Sequence, residues 1–436
     1  MRRTLETAVV LTGVLAAARL RASGPLVESL GDADAPRVAL QRSGWRVVLS
    51  PVLAVLEQMS LLSATAHVAF LATLVLIFVA MRAWRCTSRS GWVPRSELRA
   101  TLTFAVGVVG LYAGGILLPL PMARLLRMDA DEVAVDFHSH TNASHDGRRD
   151  FTLASNAAWH GAGGFDVAYI TDHVAGPASD PSFVNISIAP KASNASHASY
   201  ASRVVSLAGS ARNEIVRGTP VLLGGAEFVA HGAHLVRLGT SDDSTSVLLL
   251  TTPFHDGAVV NLRASTLVVS GVELVDASPR GLQWFADSTH RVKRTAEAFG
   301  AGLLASTNSH GWGSTVAAWT LLRLPGWERD EPARLDARIR ALIRSDDASR
   351  TRIVVRRSIV TEGVAPAMAL PLVAWVAMRS LDTHEAIVWL AWIWVPTLAA
   401  LARRLDRSVV RRRFAGALAG GLPEAAFQSS EAEPVV

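Results

Sequence analysis

Four long apolar stretches, two before and two after a more polar middle segment, constrain the fold of this chain more than any other feature of its sequence. They run from Leu61 to Met81, from Thr101 to Leu120, from Ile359 to Met378 and from Ala386 to Ala402. The first two have the roughly 20 residues that a helix needs to cross the hydrocarbon core of a bilayer. The last two are shorter or contain Glu362, and the polar segment between them predicts a helical hairpin. A pair of buried core helices is the alternative.

Composition and charge also favour a membrane protein. Half of the residues are hydrophobic and 18% are charged, whereas a soluble domain usually carries about 25% charged residues. Arginines lie at the ends of the apolar runs, which is typical of membrane flanks rather than of a nucleic-acid-binding patch. We therefore expect an integral protein of a bacterial-type inner membrane, with the lipid bilayer as partner and no requirement for nucleic acid. The single cysteine, Cys86, excludes an internal disulfide and a cysteine-rich metal site.

The orientation in the membrane is ambiguous in the sequence, because short cytoplasmic loops carry the excess of arginine and lysine. The arginines from Arg82 to Arg99 and those from Arg403 to Arg413 both favour the cytoplasm. One span before the middle segment and a hairpin after it cannot satisfy both. Counting the arginines that flank the middle segment together with the tail, we expect a cytoplasmic middle segment. Residues 1–20 resemble a signal peptide or a short span, and we expect an uncleaved helix.

Five segments follow from these patterns. We expect a membrane region at 1–128 with about three transmembrane or interfacial helices, a catalytic domain at 129–328, an amphipathic connecting helix at 329–358, a transmembrane hairpin at 359–403, and a basic, then flexible tail at 404–436. Within 129–328, short β-rich runs alternate with helical stretches, which predicts an α/β fold with a parallel sheet or barrel and helices outside. The Ser-, Ala- and Asn-rich stretch 178–199 predicts a surface loop.

Histidines are concentrated in the catalytic domain, where 11 of the chain's 13 lie between His138 and His310. Histidine is a common nitrogen ligand for divalent metals. The candidate clusters follow predicted strands, and the carboxyl ends of parallel strands gather on one face of a barrel. The clusters are His138-x-His140 with His145 and Asp146, then Asp172-His173, then Glu227 with His231 and His234, and finally Asn308-x-His310.

Each cluster has an ordinary structural interpretation when it is taken alone. Asp172 could cap a helix, and Glu227 could be a solvated loop carboxylate. Together, however, the ordered set resembles the PHP family, named for polymerase and histidinol phosphatase, over about Asp136 to Gly313. The resemblance implies a distorted (β/α)7 barrel, here inserted between transmembrane helices, that holds two or three zinc, manganese or iron ions.

The resemblance also implies a distribution of ligands. His138, His140, Glu227 and Asn308 would hold one metal, and Glu227 would bridge to a second that is also held by His234. His173 and His310, with His145 or Asp146, would hold the third. Two positions depart from the family's usual pattern: Asn308 replaces an aspartate, and Thr252 replaces a histidine, so that His255 could reach in instead.

The sequence therefore predicts a membrane-anchored, metal-dependent phosphoesterase that hydrolyses a small-molecule phosphomonoester or phosphodiester with a metal-activated water. His173 or Asp172 would shuttle a proton, and His255 is a further catalytic candidate. Two alternatives stay open. One is a metallohydrolase of non-phosphate esters, amides or carbamates, and the other is a catalytically weakened metal-binding sensor or accessory membrane protein.

Overall fold

A computed structural model of the chain describes residues 2–21, 24–28, 34–88, 94–116, 122–173, 219–239, 245–313, 315–345, 347–359 and 369–419. The predicted surface loop at 178–199 lies outside these residues. The strands are β1 (Leu26–Glu28), β2 (Val38–Gln41), β3 (Arg124–Arg127), β4 (Glu132–Ser139), β5 (Val167–Ile170), β6 (Val221–Ala230), β7 (Ala233–Leu238), β8 (Val247–Leu250), β9 (Val269–Asp276), β10 (Gly302–Ser306), β11 (Ala318–Arg323) and β12 (Thr351–Arg356).

Helices flank these strands on both sides in the sequence. They are α1 (Arg2–Leu20), α2 (Gly44–Val48), α3 (Ser50–Ser60), α4 (Ala64–Ser88), α5 (Pro94–Ile116), α6 (Leu153–Gly163), α7 (Asp256–Ala264), α8 (Pro279–Phe299), α9 (Pro332–Ser345), α10 (Ala369–Ser380) and α11 (Thr383–Ala419). We call the large sheet with α6 to α9 the sheet domain. We call α1 to α5 with α10 and α11 the helical unit.

Ten strands form one curled, half-barrel sheet in the order β1-β12-β11-β4-β5-β6-β7-β8-β9-β10. Its edge strand β10 curls back toward the interior strand β4, and Ser139 at the end of β4 forms a parallel bridge with Ser309 after β10. The backbone N–H of His140 donates to the carbonyl of Ser309 at 2.8 Å. The curl therefore brings together the chain segments that follow β4 and β10, and both segments carry predicted ligands.

The strands nearest the predicted site are buried on both faces. Every residue of β4 and β5 is buried, and the rings of Phe137 and Tyr169 stack between them with centroids 5.8 Å apart. Burying a side chain such as Val, Leu or Phe contributes about 1.5–3 kcal/mol. This apolar layer makes a rigid base for the polar side chains at the strand ends.

The sheet is mixed rather than parallel, contrary to the prediction. Four neighbouring pairs are parallel (β4 with β5, β5 with β6, β8 with β9, and β9 with β10). The pairs β6 with β7 and β7 with β8 are antiparallel. The turn between β6 and β7 consists of His231 and Gly232, both with positive φ. A two-residue turn of this kind reverses the chain directly and produces a hairpin instead of a crossover.

The predicted domain boundaries also differ from the structure at two places. Within the expected connecting helix at 329–358, only α9 and short 3-10 turns are helical, and Thr351–Arg356 forms β12. The apolar run Ile353–Val355 is buried against β11, which stabilises an extended strand there. From the expected membrane region, Leu26–Glu28 pairs with β12 and extends the sheet.

Among the residues that the structure describes, three helices are long and apolar enough to cross a membrane: Ala64–Arg85, Ser96–Gly115 and Thr383–Leu405. Their side chains are mostly not buried within the protein, as expected for surfaces that face lipid. The apolar stretch predicted at 359–378 is described at Ile359, which ends a 3-10 turn, and from Ala369 onward, where it forms part of the 12-residue α10. Pro51 lies in the first turn of α3, a position where a helix tolerates proline.

Candidate metal centre

Two imidazoles at the carboxyl end of β4 converge on one carboxylate. Side chains two residues apart in a strand point to the same face, so His138 and His140 lie side by side with ring centroids 5.0 Å apart. The Nε2 atoms of both rings lie 3.3 Å from Oε2 of Glu227, which β6 supplies. All three side chains are buried. The first and third sequence clusters therefore meet at one point.

The position of the proton on His140 follows from its neighbours. The hydroxyl of Ser144 donates to Oδ1 of Asp172 at 2.9 Å, so its oxygen accepts a hydrogen bond from Nδ1–H of His140 at 3.0 Å. Burial and the surrounding imidazoles hold the pKa of His140 well below its usual value. The ring is therefore neutral, and its Nε2 lone pair faces the Glu227 carboxylate. This Nε2 has no hydrogen-bond partner in the described part of the chain.

His310 repeats this arrangement after β10. The side-chain amide of Asn308 donates to Oδ2 of Asp276 at 3.0 Å, and its carbonyl oxygen accepts from Nε2–H of His310 at 3.0 Å. Burial lowers the pKa of His310, so the ring is neutral and Nδ1 carries the lone pair. That Nδ1 lies 3.2 Å from Oδ1 of Asp146. A second imidazole lone pair thus faces a second carboxylate.

His173 lies between the two carboxylates. Its Nδ1 is 3.1 Å from Oε2 of Glu227, and its Nε2 is 3.4 Å from Oδ2 of Asp146. The ring of His140 stacks between those of His173 and His310, at centroid distances of 4.6 and 4.1 Å. His145 stays largely exposed, although its ring approaches His173 to 4.9 Å. The cluster is continuous from one carboxylate to the other.

Three overlapping groups of donor atoms have metal-ligand spacing. Within each group, one atom from each residue lies within 4.8 Å of the others, and the groups are His138, His140 and Glu227; His140, His173 and His310; and His145, Asp146 and His173. His140 belongs to two groups, where the family resemblance assigns it to one. Outside these groups, His234 approaches Oε1 of Glu227 through its Nδ1 at 2.7 Å, and the carbonyl oxygen of Asn308 accepts from His310.

Two buried carboxylates on β9 also belong to the site, and the sequence reasoning did not select them. Oε1 of Glu273 lies 3.3 Å from Nδ1 of His138, and Oδ2 of Asp276 accepts from Asn308. Burial and the neighbouring Glu273 raise the pKa of Asp276 to about 7. The sequence did contain a signal for them, because both carboxylates lie in a largely apolar strand. A buried carboxylate destabilises the fold unless it is paired, so its presence there indicates a partner. Asp276 therefore places a carboxylate next to Asn308, the position at which the family that the sequence resembles usually has an aspartate.

Three further residues from the sequence analysis, Asp172, His255 and Thr252, belong to none of these groups of donor atoms. Asp172 is buried and accepts hydrogen bonds from the backbone N–H of Thr141 at 2.6 Å and from its hydroxyl at 2.7 Å, in addition to that from Ser144. Asp172 therefore positions the loop that carries Asp146. His255 is exposed at the start of α7. Thr252 is buried, and its backbone N–H donates to Oε2 of Glu273 at 3.2 Å.

Charge in the site is unevenly compensated. Burial alone would lower the pKa of His138, but the carboxylates of Glu227 and Glu273 raise it well above its usual value. Burial would raise the pKa of Glu227, but the imidazoles around it hold that pKa well below the usual range. The hydrogen bond that His234 donates to Glu227 raises the pKa of His234. The Glu227 carboxylate is thus kept ionised and attracts positive charge.

A buried network fixes β4 below these ligands. Oδ2 of Asp136 lies 2.7 Å from Nε2 of His160 on α6, and it accepts the hydroxyl proton of Thr307 at 2.5 Å. Oδ1 of Asp136 accepts from the backbone N–H of Thr307 at 2.9 Å. These bonds join β4 to the segment after β10. They therefore fix the position of His138 relative to His310.

The candidate ligands open into a cleft of about 750 Å³. One wall is formed by α8, which contributes Arg280, Gln283, Trp284 and Arg291. The guanidinium of Arg291 lies over the ring of Trp284, 5.3 Å from its centroid. His255 and Asn308 also line the cleft, but Asp172 does not. The cleft has room for a small substrate next to the donor groups.

No protein-family model matches the sequence, and a search of curated proteins gives no match. Among solved structures, the chain is similar to PsfC from Pseudomonas syringae PB-5123, with 13% sequence identity and a TM-score of 0.31. The similarity covers 56% of this chain and 96% of PsfC. Functional inference therefore depends on the residues of the chain itself.

Proposed function

We propose that the chain is a membrane-anchored, metal-dependent phosphoesterase with a PHP-type half-barrel. The observation that carries the proposal is that two neutral imidazoles direct lone pairs at carboxylates, His140 at Glu227 and His310 at Asp146. Lone pairs that face each other at 3.2–3.3 Å repel, and a divalent cation between them removes this repulsion. Neutral imidazole and carboxylate are ligands that zinc, manganese and iron accept.

Two or three such ions would be held by residues already described: His138, His140, Asp146, His173, Glu227, His234 and His310. When bound, the ions would offset the charge of a phosphate and lower the pKa of water in the site. Asn308 would orient His310 by accepting its Nε2 proton. Asp172 would keep the proton of His140 on Nδ1 through Ser144, so that Nε2 stays free to bind.

The other polar groups of the cleft have separate roles in hydrolysis. With two ions bound, His173 need not serve as a ligand, and it would then accept a proton from the attacking water and release it to solvent. Arg280 and Arg291 would contact phosphate oxygens, because a guanidinium can donate two parallel hydrogen bonds to them. His255, at the cleft edge, can protonate the leaving oxygen. The reaction adds water across one P–O ester bond and gives a phosphate and an alcohol.

Contacts of the helical unit support anchoring with the sheet domain on one side of the bilayer. The hydroxyl of Thr65, next to the first residue of one candidate span, donates to Gln283 of α8. Gly115, at the end of the second span, lies beside Leu56 of α3. Glu385, at the start of the third, pairs with Arg42 at 3.0 Å. These ends all lie toward the sheet domain.

The opposite ends of the three candidate spans are rich in arginine. Arg82 and Glu97 join the far ends of α4 and α5, with Nε to Oε2 at 2.7 Å. In α1, Arg19 donates to the carbonyl of Arg379, and Thr12 accepts from Trp394, so α1 runs antiparallel to α11. Two candidate spans precede the sheet domain and one follows it. The arginine-rich ends of all three spans can therefore lie at the membrane face opposite the sheet domain. The positive-inside rule then favours a sheet domain outside the cytoplasm. The count of arginines along the sequence, in contrast, favours a cytoplasmic domain.

Metal analysis of the purified full-length chain tests the proposal. We expect two or three zinc, manganese or iron ions per chain and hydrolysis of p-nitrophenyl phosphate or bis(p-nitrophenyl) phosphate. The double variant His138→Ala with His140→Ala should lose both metal and activity. The control His290→Ala removes an exposed histidine of α8 and should retain both. Turnover by the double variant that equals the wild type would refute the site.

The same assay separates the alternative functions. Hydrolysis of p-nitrophenyl acetate or of an anilide, without hydrolysis of the phosphoesters, would replace the phosphoesterase by a different metallohydrolase. Bound metal without turnover of any of these esters and amides would favour a metal-binding sensor. Arg280→Ala adds a second criterion, because loss of a phosphate contact should raise KM for phosphoesters more than for carboxylesters.

A further inference from the structure

The cleft of the candidate metal centre is bordered by the beginning of a membrane-spanning helix. Ala64, the first residue of α4 and of the candidate span Ala64–Arg85, lines the same cleft as His138 and Glu227. The backbone N–H of Thr65 donates to Oε1 of Gln283 at 3.3 Å, and its hydroxyl donates to the same atom. Because Gln283 also lines the cleft, the span and the cleft wall are joined directly.

A hydrophobic contact fixes this junction. Leu61, three residues before the span, is buried in the main core of the sheet domain together with Leu282 and Phe285 of α8. Trp284, which lines the cleft, packs against the same core. The beginning of the span is therefore part of the sheet-domain core and not a loose tether. The distance between the cleft and the end of the span is fixed by packing.

The other two candidate spans place the membrane boundary on the same side. Gly115, the last residue of one span, lies where an added Cβ would be 3.7 Å from Leu56. Leu56 belongs to α3, whose next residue, Glu57, pairs with Arg356 of β12 at 2.6 Å. A bilayer that contains these spans must therefore end near Ala64, next to the cleft. A substrate in the cleft lies at the surface of the bilayer.

The cleft also combines polar and apolar walls. Arg280 and Arg291 offer positive charge for a phosphate, while Ala64, Pro253 and Trp284 offer apolar surface. A phosphoester on a soluble alcohol would use only the polar part. A phosphoester at the head of a lipid would use both, because its chains stay in the bilayer while its phosphate reaches the ligands. Chains that remain in the bilayer hold the phosphate of such a lipid at the membrane surface, where the cleft lies.

We infer that the substrate is a phosphoester carried by a membrane lipid, which enters the cleft from the bilayer beside Ala64. This inference rests on the proposed phosphoesterase function. Water attacks phosphorus, the P–O bond to the lipid oxygen or to the head alcohol breaks, and the leaving oxygen takes a proton. A lipid phosphomonoester yields inorganic phosphate and a lipid alcohol. No oxidant or further reactant is required.

Matched pairs of substrates test the inference on the full chain reconstituted in phosphatidylcholine vesicles with manganese or zinc. The monoester pair is dioleoyl phosphatidic acid and glycerol 3-phosphate, and the diester pair is dioleoyl phosphatidylglycerol and glycerophosphoglycerol. We expect at least about tenfold faster turnover of the lipid member of one pair at equal total concentration. The lipid should be hydrolysed when it shares the protein's bilayer and not when it is supplied in separate vesicles.

A variant probes the route of entry. Ala64→Trp fills the side of the cleft next to the bilayer and should lower the ratio of lipid to soluble turnover by about tenfold. Val68→Trp, one turn further along the exposed face of the span, should leave the ratio unchanged. An unchanged ratio in Ala64→Trp contradicts the entry route. Equal or faster turnover of the soluble esters by the wild type overturns the lipid assignment alone, whereas no turnover of any phosphoester overturns the proposed function and the assignment with it.

Discussion

The Nε2 atom of His140 lies 3.3 Å from Oε2 of Glu227, and both atoms are hydrogen-bond acceptors. The imidazole is neutral because burial and nearby imidazoles lower its pKa, and its proton is on Nδ1 because Ser144 accepts it. Two buried acceptors at this distance destabilise each other unless a cation lies between them. This pair is therefore the most direct indication of a metal centre in the chain.

Glu227→Gln should weaken metal binding while keeping the shape of the side chain. The amide cannot offset the charge of a cation, and it loses the attraction to the imidazoles around it. We expect a loss of about 10- to 100-fold in metal affinity, measured by competition with a chelating dye. Glu328→Gln, at an exposed position of the sheet domain, is the matched control. Unchanged affinity in Glu227→Gln would exclude this carboxylate as a ligand.

Asp172→Ala should damage the site without removing a ligand. The carboxylate of Asp172 accepts from Thr141 and Ser144 and so fixes the loop that carries Asp146. Its loss leaves a buried backbone N–H unsatisfied, at a cost of about 1–3 kcal/mol. We expect a lower thermal midpoint together with weaker metal binding, and partial rescue by Asp172→Asn. If Asp172 transferred protons, the asparagine variant would instead be stable, bind metal fully and lack turnover.

The sequence predicted which side chains converge better than it predicted the sheet that carries them. His138, His140, Glu227 and His310 come together in space as expected, because each lies within or follows a buried apolar strand that sequence patterns locate well. The hairpin of β6 and β7 depends on the backbone conformation of the two-residue turn at His231, which a helix-or-strand pattern does not specify. Glu273 was missed because its partner, His138, lies 135 residues away in the sequence, and only the fold brings the two together.

Asn308→Asp should make the structure more dependent on metal. Nδ2 of Asn308 now donates to Oδ2 of Asp276 at 3.0 Å. An aspartate would replace this hydrogen bond by repulsion between two carboxylates, which a bound cation relieves. We expect a lower thermal midpoint without metal and a larger increase on adding zinc or manganese than in the wild type. A metal-induced stabilisation equal to that of the wild type would show that Asn308 and Asp276 lie outside the field of the ion.

Glu57 should stabilise the junction between the helical unit and the sheet domain in a pH-dependent manner. It pairs with Arg356 at 2.6 Å and accepts the hydroxyl proton of Thr315 at 3.0 Å. Burial would raise its pKa, but Arg356, Arg46 and Arg42 outweigh burial and lower the pKa from 4.5 to about 2. A depressed carboxyl pKa gives stability that is complete above the unfolded value and is lost as the pH falls toward the folded value.

Glu57→Gln tests this dependence. At pH 7 the variant should have a lower thermal midpoint in detergent, since Arg356 is buried and would lose its carboxylate, a cost of about 3 kcal/mol. The difference from the wild type should shrink as the pH falls from about 5 toward about 2, where Glu57 itself becomes protonated. A difference that stays constant over this interval would mean that the ion pair does not control the stability of the junction.

Membrane orientation can be tested through the single native cysteine. Cys86 lies in α4 near its arginine-rich end, which is the end opposite to Ala64 at the cleft. If the arginine-rich ends are cytoplasmic, a membrane-impermeant maleimide should label Cys86 only after the cytoplasmic membrane is permeabilised. In a second variant, Cys86→Ser with Glu328→Cys, the exposed position in the sheet domain should be labelled in intact spheroplasts. The reverse pattern would place the sheet domain in the cytoplasm, and the cleft would then open at the inner leaflet.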